Sequence, residues 1–210
     1  MRKLSSLIPF IVLSCAAAAQ DLAQVQLPAP RMEGGMPLLQ ALRIRQSQRD
    51  FAPDPLPPQV LSNLLWAAWG INRPDSGKRN APSAMNRQEM DVYVVQADGA
   101  YRYDAKAHAL VLLLKEDLRG LAGTQPFVKS APVNLIYVSR AGGGTADDRL
   151  IYGGAQAGFI SENVYLFCAS EGLATVVRGS VDRAALAAAL KLGPDQKIIL
   201  AQTVGYPVKK

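Results

Sequence analysis

The dipeptide Asp98-Gly99 constrains the fold most. It stands between Asp91 to Val95, rich in β-branched and aromatic residues, and Tyr101 to Asp104, which alternates apolar and polar. Asp-Gly between two such runs is a tight hairpin signal, and a hairpin makes its strands antiparallel neighbours. A purely parallel doubly wound sheet is therefore disfavoured. His108 to Leu114 predicts a third strand, Val133 to Ser139 a fully apolar fourth and Lys197 to Val204 a last one. Helical spacing appears over Met36 to Arg45, through Leu38, Leu39 and Leu42. Pro57 and Pro58 open a second helix, with Val60, Leu61, Leu64, Leu65 and Ala68 on its apolar face and Gly70 stopping it. Gly142 to Gly144 reads as a loop. Ala155 to Glu171 is the longest predicted helix, closed by Gly172, and Asp182 is the predicted N-cap of a helix reaching Leu192. Strands and helices interspersed around a hairpin predict the α+β class.

Residues 1–19 are expected to be a targeting segment rather than part of the fold. Met1-Arg2-Lys3 is followed by an apolar run from Leu7 to Val12 and small residues from Ser14 to Ala19. That is the pattern of a secretory signal peptide cleaved after Ala19, and the run is shorter than the ~20 residues of a membrane-spanning helix. The competing reading is a lipoprotein signal, with a lipid anchor on Cys15. Gln20 to Gly35, with Pro28, Pro30 and Gly34-Gly35, reads as a linker or an arm lying on another subunit. The main domain is then 36–210.

Several kinds of chemistry are excluded. The whole chain carries a formal charge of +6; without Arg2 and Lys3 it carries +4, too mild for a nucleic-acid-binding stripe but suited to a small anion. Beyond Cys15 there is only Cys168, so no internal disulfide forms. With His108 as the single histidine, neither a zinc site nor a Cys–His or Ser–His triad can be assembled. Cys168 stands in an apolar helical pattern, where a buried inert thiol is the usual role. Any chemistry here needs an external cofactor.

Two polar clusters stand out. Arg45-Gln46-Ser47-Gln48-Arg49 places two guanidiniums around a hydroxyl at a helix end. Arginine grips phosphate with paired N–H donors and serine adds another donor, although cations at a helix C-terminus are also favourable without any ligand. Downstream, Pro82-Ser83-Ala84-Met85-Asn86-Arg87-Gln88 reads as a rigid turn with an amide side chain that offers both a donor and an acceptor. It lacks the glycine spacing of a triphosphate-binding loop.

Taken together, these segments resemble the nitroreductase-like flavoprotein family, which includes the thiazoline-oxidase type of dehydrogenase. The basic-x-Ser-x-basic pattern, the Pro-Ser-x-x-Asn-x-Gln pattern, the stretch Val176-Val177-Arg178-Gly179 after Glu171-Gly172-Leu173, and the closing Val204-Gly205-Tyr206-Pro207 occur in order over Met36 to Pro207. The resemblance implies a mostly antiparallel sheet flanked by helices, a homodimer and bound FMN. It assigns Arg45, Gln46 and Ser47 to the phosphate and ribityl chain, and Arg49 to the N1 and C2-carbonyl side of the ring. It assigns Pro82, Ser83 and Asn86 to the turn that meets the ring's pyrimidine edge, Val177, Arg178 and Gly179 to the N5 side, and Lys209 and Lys210 to the phosphate. It implies a ping-pong exchange between a reduced donor, NAD(P)H in relatives, and a small organic acceptor such as a nitroaromatic or quinone. The alternative is an exported module that holds flavin without turning it over. Two departures are visible: Glu89 comes after the motif where many relatives have proline, and Arg178 replaces a frequent glutamate, placing positive charge near the expected N5 side.

Overall fold

A computed structural model of the chain describes residues 23–140 and 144–209. In chain order the elements are β1 (Gln24–Gln26), α1 (Leu38–Ile44), α2 (Pro58–Trp69), β2 (Ile71–Arg73), β3 (Lys78–Arg79), β4 (Met90–Gln96), β5 (Gly99–Asp104), β6 (Ala109–Leu114), β7 (Val133–Ser139), α3 (Ala146–Glu171), β8 (Ala174–Arg178), α4 (Arg183–Ala189) and β9 (Lys197–Gly205). Seven strands form one sheet in the order β1-β6-β5-β4-β7-β9-β8, every pair antiparallel. β2 and β3 make a separate small hairpin. The targeting segment with Cys15, Gly142 and Gly143 of the predicted loop, and Lys210 lie outside the described residues.

Period-two alternation sorts side chains onto two faces. Val92, Val94, Leu135 and Tyr137 point to one face and pack with Leu64 and Leu65 of α2 and Ile160 and Val164 of α3. Tyr93, Val95, Ile136 and Val138 point to the other and pack with Leu186 and Leu190, in and beside α4. The mostly antiparallel sheet flanked by helices is thus the observed architecture.

Four local expectations change. The β4–β5 reversal pairs Gln96 with Gly99, so its loop is Ala97-Asp98 and Gly99 already belongs to a strand. Gly99 is needed for space: a Cβ there would lie 2.7 Å from the Leu114 carbonyl oxygen. The start of the predicted linker is not free chain, since Gln24–Gln26 pairs with β6 and Leu27 is buried. His108 is not a strand residue but a left-handed turn residue before β6 (φ 48°). Finally, α1 buries only Ala41, leaving Leu38, Leu39, Leu42 and Ile44 exposed.

Candidate functional site

The Arg45–Arg49 segment is held from three sides. α1 ends at Ile44, and the chain then runs extended along the outer edge of β8, where the Gln48 N–H donates to the Thr175 carbonyl (2.9 Å). The C-terminal tail pairs with the residues just beyond the segment: Ala52 N–H donates to Tyr206 O (2.8 Å) and Phe51 bridges Pro207. From α3, the buried Tyr165 brings its Oη to 2.8 Å from Ser47 Oγ. The same Oη accepts the Val177 N–H at 2.9 Å, and the Arg45 guanidinium stands 5.1 Å from the centroid of the Tyr165 ring.

These contacts bring Arg45, Gln46, Ser47, Arg49, Val177 and the tail carrying Lys209 into one neighbourhood. Val208 N–H reaches Asp50 O at 3.4 Å, so the exposed Lys209 stands directly beside the segment. Arg45 and Arg49 form no ion pair among the described residues. Gln46, Gln48, Tyr165, Thr175 and Pro207 border a hollow of about 170 Å³. Its lining includes none of Arg45, Ser47 and Arg49, the alternate residues of the extended segment, so it is not the space those donors face.

The Pro82–Gln88 turn is built differently. Met85, Asn86 and Gln88 all have positive φ (50°, 53° and 51°), a conformation costly for side-chain-bearing residues and found where a site demands it. Gln88 holds the turn together. Its N–H donates to Ser83 Oγ (3.1 Å), its amide donates to Gly77 O (3.0 Å) and to Asn86 Oδ1 (3.1 Å), and its Oε1 accepts from Arg79 Nε (2.8 Å). Asn86 Oδ1 thus accepts one hydrogen bond within the turn, which leaves its second lone pair and its amide donors. Pro82 and Asn86 are exposed and Ser83 is half-buried.

One chain does not bring this turn to the arginine–serine cluster. Arg87 lies 5.9 Å from the ring centroid of Tyr152 in the first half of α3, whereas Arg45 lies over Tyr165. At 1.5 Å per residue, Tyr152 and Tyr165 are about 20 Å apart along the helix axis.

The end of β8 corrects the expectation for Arg178. Its side chain turns to the sheet face opposite α3, where Nη2 donates to Asn134 Oδ1 (2.9 Å) and Thr203 Oγ1 (2.8 Å) and Nη1 to Ala122 O (2.9 Å). It is 5 % exposed, and burial lowers its pKa to about 10. The charge is spent on neutral acceptors inside the sheet and is not offered on the face that carries Ser47. Gly123 makes room for it, because a Cβ there would fall 1.9 Å from Nη1. Gly179 stands exposed in open space, while the Val177 N–H is already taken by Tyr165.

Tyr165 and the organising role of Gln88 escaped the sequence reading. Gln88 was part of a recognised pattern, but Tyr165 is one aromatic among several in a helix, and nothing in its spacing points to Ser47. Cys168 is fully buried, and burial pushes its thiol pKa up. His108 is bonded to Ser62, Pro28 and Tyr103, away from the cluster. No group of three metal-ligating side chains exists among the described residues, and no helix there is long and apolar enough to cross a membrane.

An all-antiparallel seven-stranded sheet between helices, with an arginine–serine cluster at its edge, places the chain in the nitroreductase fold class. More particularly, the chain belongs to the Nitroreductase family, whose model matches residues 42–206. A nitroreductase homologue of Methanocaldococcus jannaschii is 31% identical over 173 residues, covering 76% of this chain and 85% of the relative. The crystal structure of a nitroreductase homologue from Ralstonia eutropha JMP134 superimposes with a TM-score of 0.85 at 39% identity, over 100% of this chain and 99% of that one. A nitroreductase homologue from Desulfovibrio desulfuricans, solved in complex with FMN, shares the fold with a TM-score of 0.60 at 23% identity, over 84% of this chain and 89% of that one.

Proposed function

We propose that the protein is an exported, homodimeric FMN-dependent oxidoreductase that passes reducing equivalents from a reduced donor, NAD(P)H in the family, to a small organic acceptor such as a nitroaromatic or quinone. The observation that carries this reading is the free donor set of Arg45, Ser47 and Arg49, held against β8 by Tyr165 and lacking carboxylate partners. That set fits a phosphate monoester. The spare amide donors of Asn86 fit a ring carbonyl.

When bound, FMN supplies hydride and electron transfer that no side chain here can provide. Arg45 and Ser47 would bind its phosphate, with Lys209 and Lys210 adding charge. Arg49 would favour the reduced ring, because a cation nearby offsets the negative charge that reduction places there. Asn86 would orient the ring through its carbonyl edge. No general acid or base among the residues is needed, so donor and acceptor use one exposed face in turn.

The homodimer is supported by geometry as well as family. Exposed Leu38, Leu39, Leu42 and Ile44 of α1 and Ile151 and Phe159 of α3 are apolar side chains of the kind a partner would cover. A twofold partner is also the simplest means of delivering a second turn carrying Asn86 to the first chain's cluster. Export rests on residues 1–19 alone.

The test is the absorption spectrum of the purified protein, with and without added FMN, and identification of any bound flavin by mass. A yellow protein that is bleached by NAD(P)H and reoxidised by a quinone fits the proposal. A yellow protein inert to every reductant fits the flavin-holding module instead. A colourless protein that binds no added FMN rejects both.

A further inference from the structure

We propose that Tyr165 is the positioning residue of the phosphate grip: its hydroxyl fixes Ser47 as an outward hydrogen-bond donor, and its ring holds the Arg45 guanidinium in place. This inference rests on the FMN reading and deepens it. β8 is the edge strand of the sheet, and the Val177 N–H faces outward from it. A backbone donor at such a place needs an acceptor, and Tyr165 Oη provides it at 2.9 Å. The phenol proton must then go elsewhere, because a buried hydroxyl is seldom left without an acceptor. Among the described residues, Ser47 Oγ, at 2.8 Å, is the neighbour placed to take it.

The direction of that second bond is set by acidity. A phenol is a better donor and a poorer acceptor than an aliphatic hydroxyl, and one Oη lone pair is already committed. The order is therefore Val177 N–H to Tyr165 O–H to Ser47. Ser47's own proton has no acceptor among the described residues and stands on an exposed side chain. What completes the chain is an acceptor, best an anionic oxygen.

The ring contributes separately. Stacking of Arg45 at 5.1 Å restrains the guanidinium while leaving its N–H edges free for bidentate binding. Tyr165 is 6% exposed and rooted in the longest helix, so neither contact depends on a mobile side chain. A single residue thus prearranges both phosphate-binding groups, which reduces the ordering cost of binding. The ligand class this selects is a phosphate monoester over the corresponding neutral alcohol.

The experiment compares FMN with riboflavin, which lacks the phosphate. Affinities of both are measured by fluorescence quenching for the wild-type protein and for Tyr165→Phe, with a thermal melt to confirm folding. The expected result is a loss of FMN affinity of about three- to tenfold, with riboflavin nearly unchanged, so that the preference for FMN shrinks. A merely structural role would weaken both flavins alike, and an equal loss or an unchanged ratio overturns the proposal while leaving flavin binding intact. If the wild-type protein binds neither flavin, the FMN reading itself fails. Should Tyr165→Phe not fold, Ser47→Ala, at an exposed position, carries the test: the FMN preference must fall, and an unchanged ratio overturns the relay. In the double variant the two losses must not add, since Tyr165 acts through Ser47.

Discussion

His108 shows how one residue can tie an arm to a sheet and set a pH limit on the tie. Ser62 Oγ donates to Pro28 O (2.6 Å) and takes the His108 Nε2–H (2.8 Å), while Nδ1 accepts the Tyr103 hydroxyl (2.9 Å). The neutral ring satisfies every partner; a second proton on Nδ1 would oppose the Tyr103 donor. Burial accordingly lowers the His108 pKa from its ordinary 6.5. The unfolded chain then takes up this proton more readily than the folded one. Stability from this group is complete above pH 6.5 and is lost as pH falls from there toward the lowered value. Urea midpoints measured from about pH 7.5 down to about 5 are expected to decline, and His108→Gln is expected to flatten that decline. A profile identical in the variant would show that His108 contributes nothing. None of this was legible in the sequence, because Ser62 and Pro28 are distant along the chain and only Tyr103 is near. Arg178 teaches the same lesson in reverse. It stands in a stretch expected to meet the flavin, but which face of β8 it occupies depends on register, and register put its charge on Asn134 and Thr203.

At the scale of elements, α3 begins at Ala146, and the sequence pattern showed it only from Ala155 because its first turns carry no buried apolar stripe. They carry Asp147, Asp148, Arg149 and the pair Gly153-Gly154, which blur helical spacing. The start signal was nevertheless in the sequence as Thr145-x-x-Asp148. Thr145 Oγ1 accepts the Asp148 N–H (3.1 Å), and the Asp148 carboxylate accepts the Thr145 N–H (2.9 Å). This capping box satisfies two amide donors that would otherwise lack partners. Thr145→Ala is expected to cost about 1 kcal/mol in urea denaturation, with the loss confined to stability and flavin affinity retained. A change below a few tenths would mean that the helix start frays in solution. The hairpin illustrates the complementary limit. Asp98-Gly99 announced two antiparallel strands correctly, and those strands formed, but the glycine serves the close approach of Leu114 rather than the turn. A dipeptide marks a reversal without revealing which of its two constraints placed the glycine there.

The whole molecule presents two half-sites that do not meet. Arg45, Ser47 and Arg49 lie by Tyr165, and the strained turn with Asn86 lies by Tyr152, about 20 Å along the same helix. Both were legible as motifs, because each is a short local pattern; their separation was not, because it depends on where a 26-residue helix carries each end. If each flavin is held by the cluster of one chain and the turn of another, the two halves can be inactivated on different chains. Arg45→Ala and Asn86→Ala homodimers are each expected to lose most FMN binding. In a mixed dimer of the two variants, one site joins both defects. The other joins an intact cluster from the Asn86→Ala chain to an intact turn from the Arg45→Ala chain. Random reassociation of equal amounts gives half heterodimers, each with one good site, so roughly a quarter of all sites should regain wild-type affinity. Flavin titration of the mixture measures that fraction directly. A mixture no better than its two components would place each site within a single chain. It would then require the turn at Asn86 to travel the length of α3, against the hydrogen bonds by which Gln88 and Arg79 fix it where it stands.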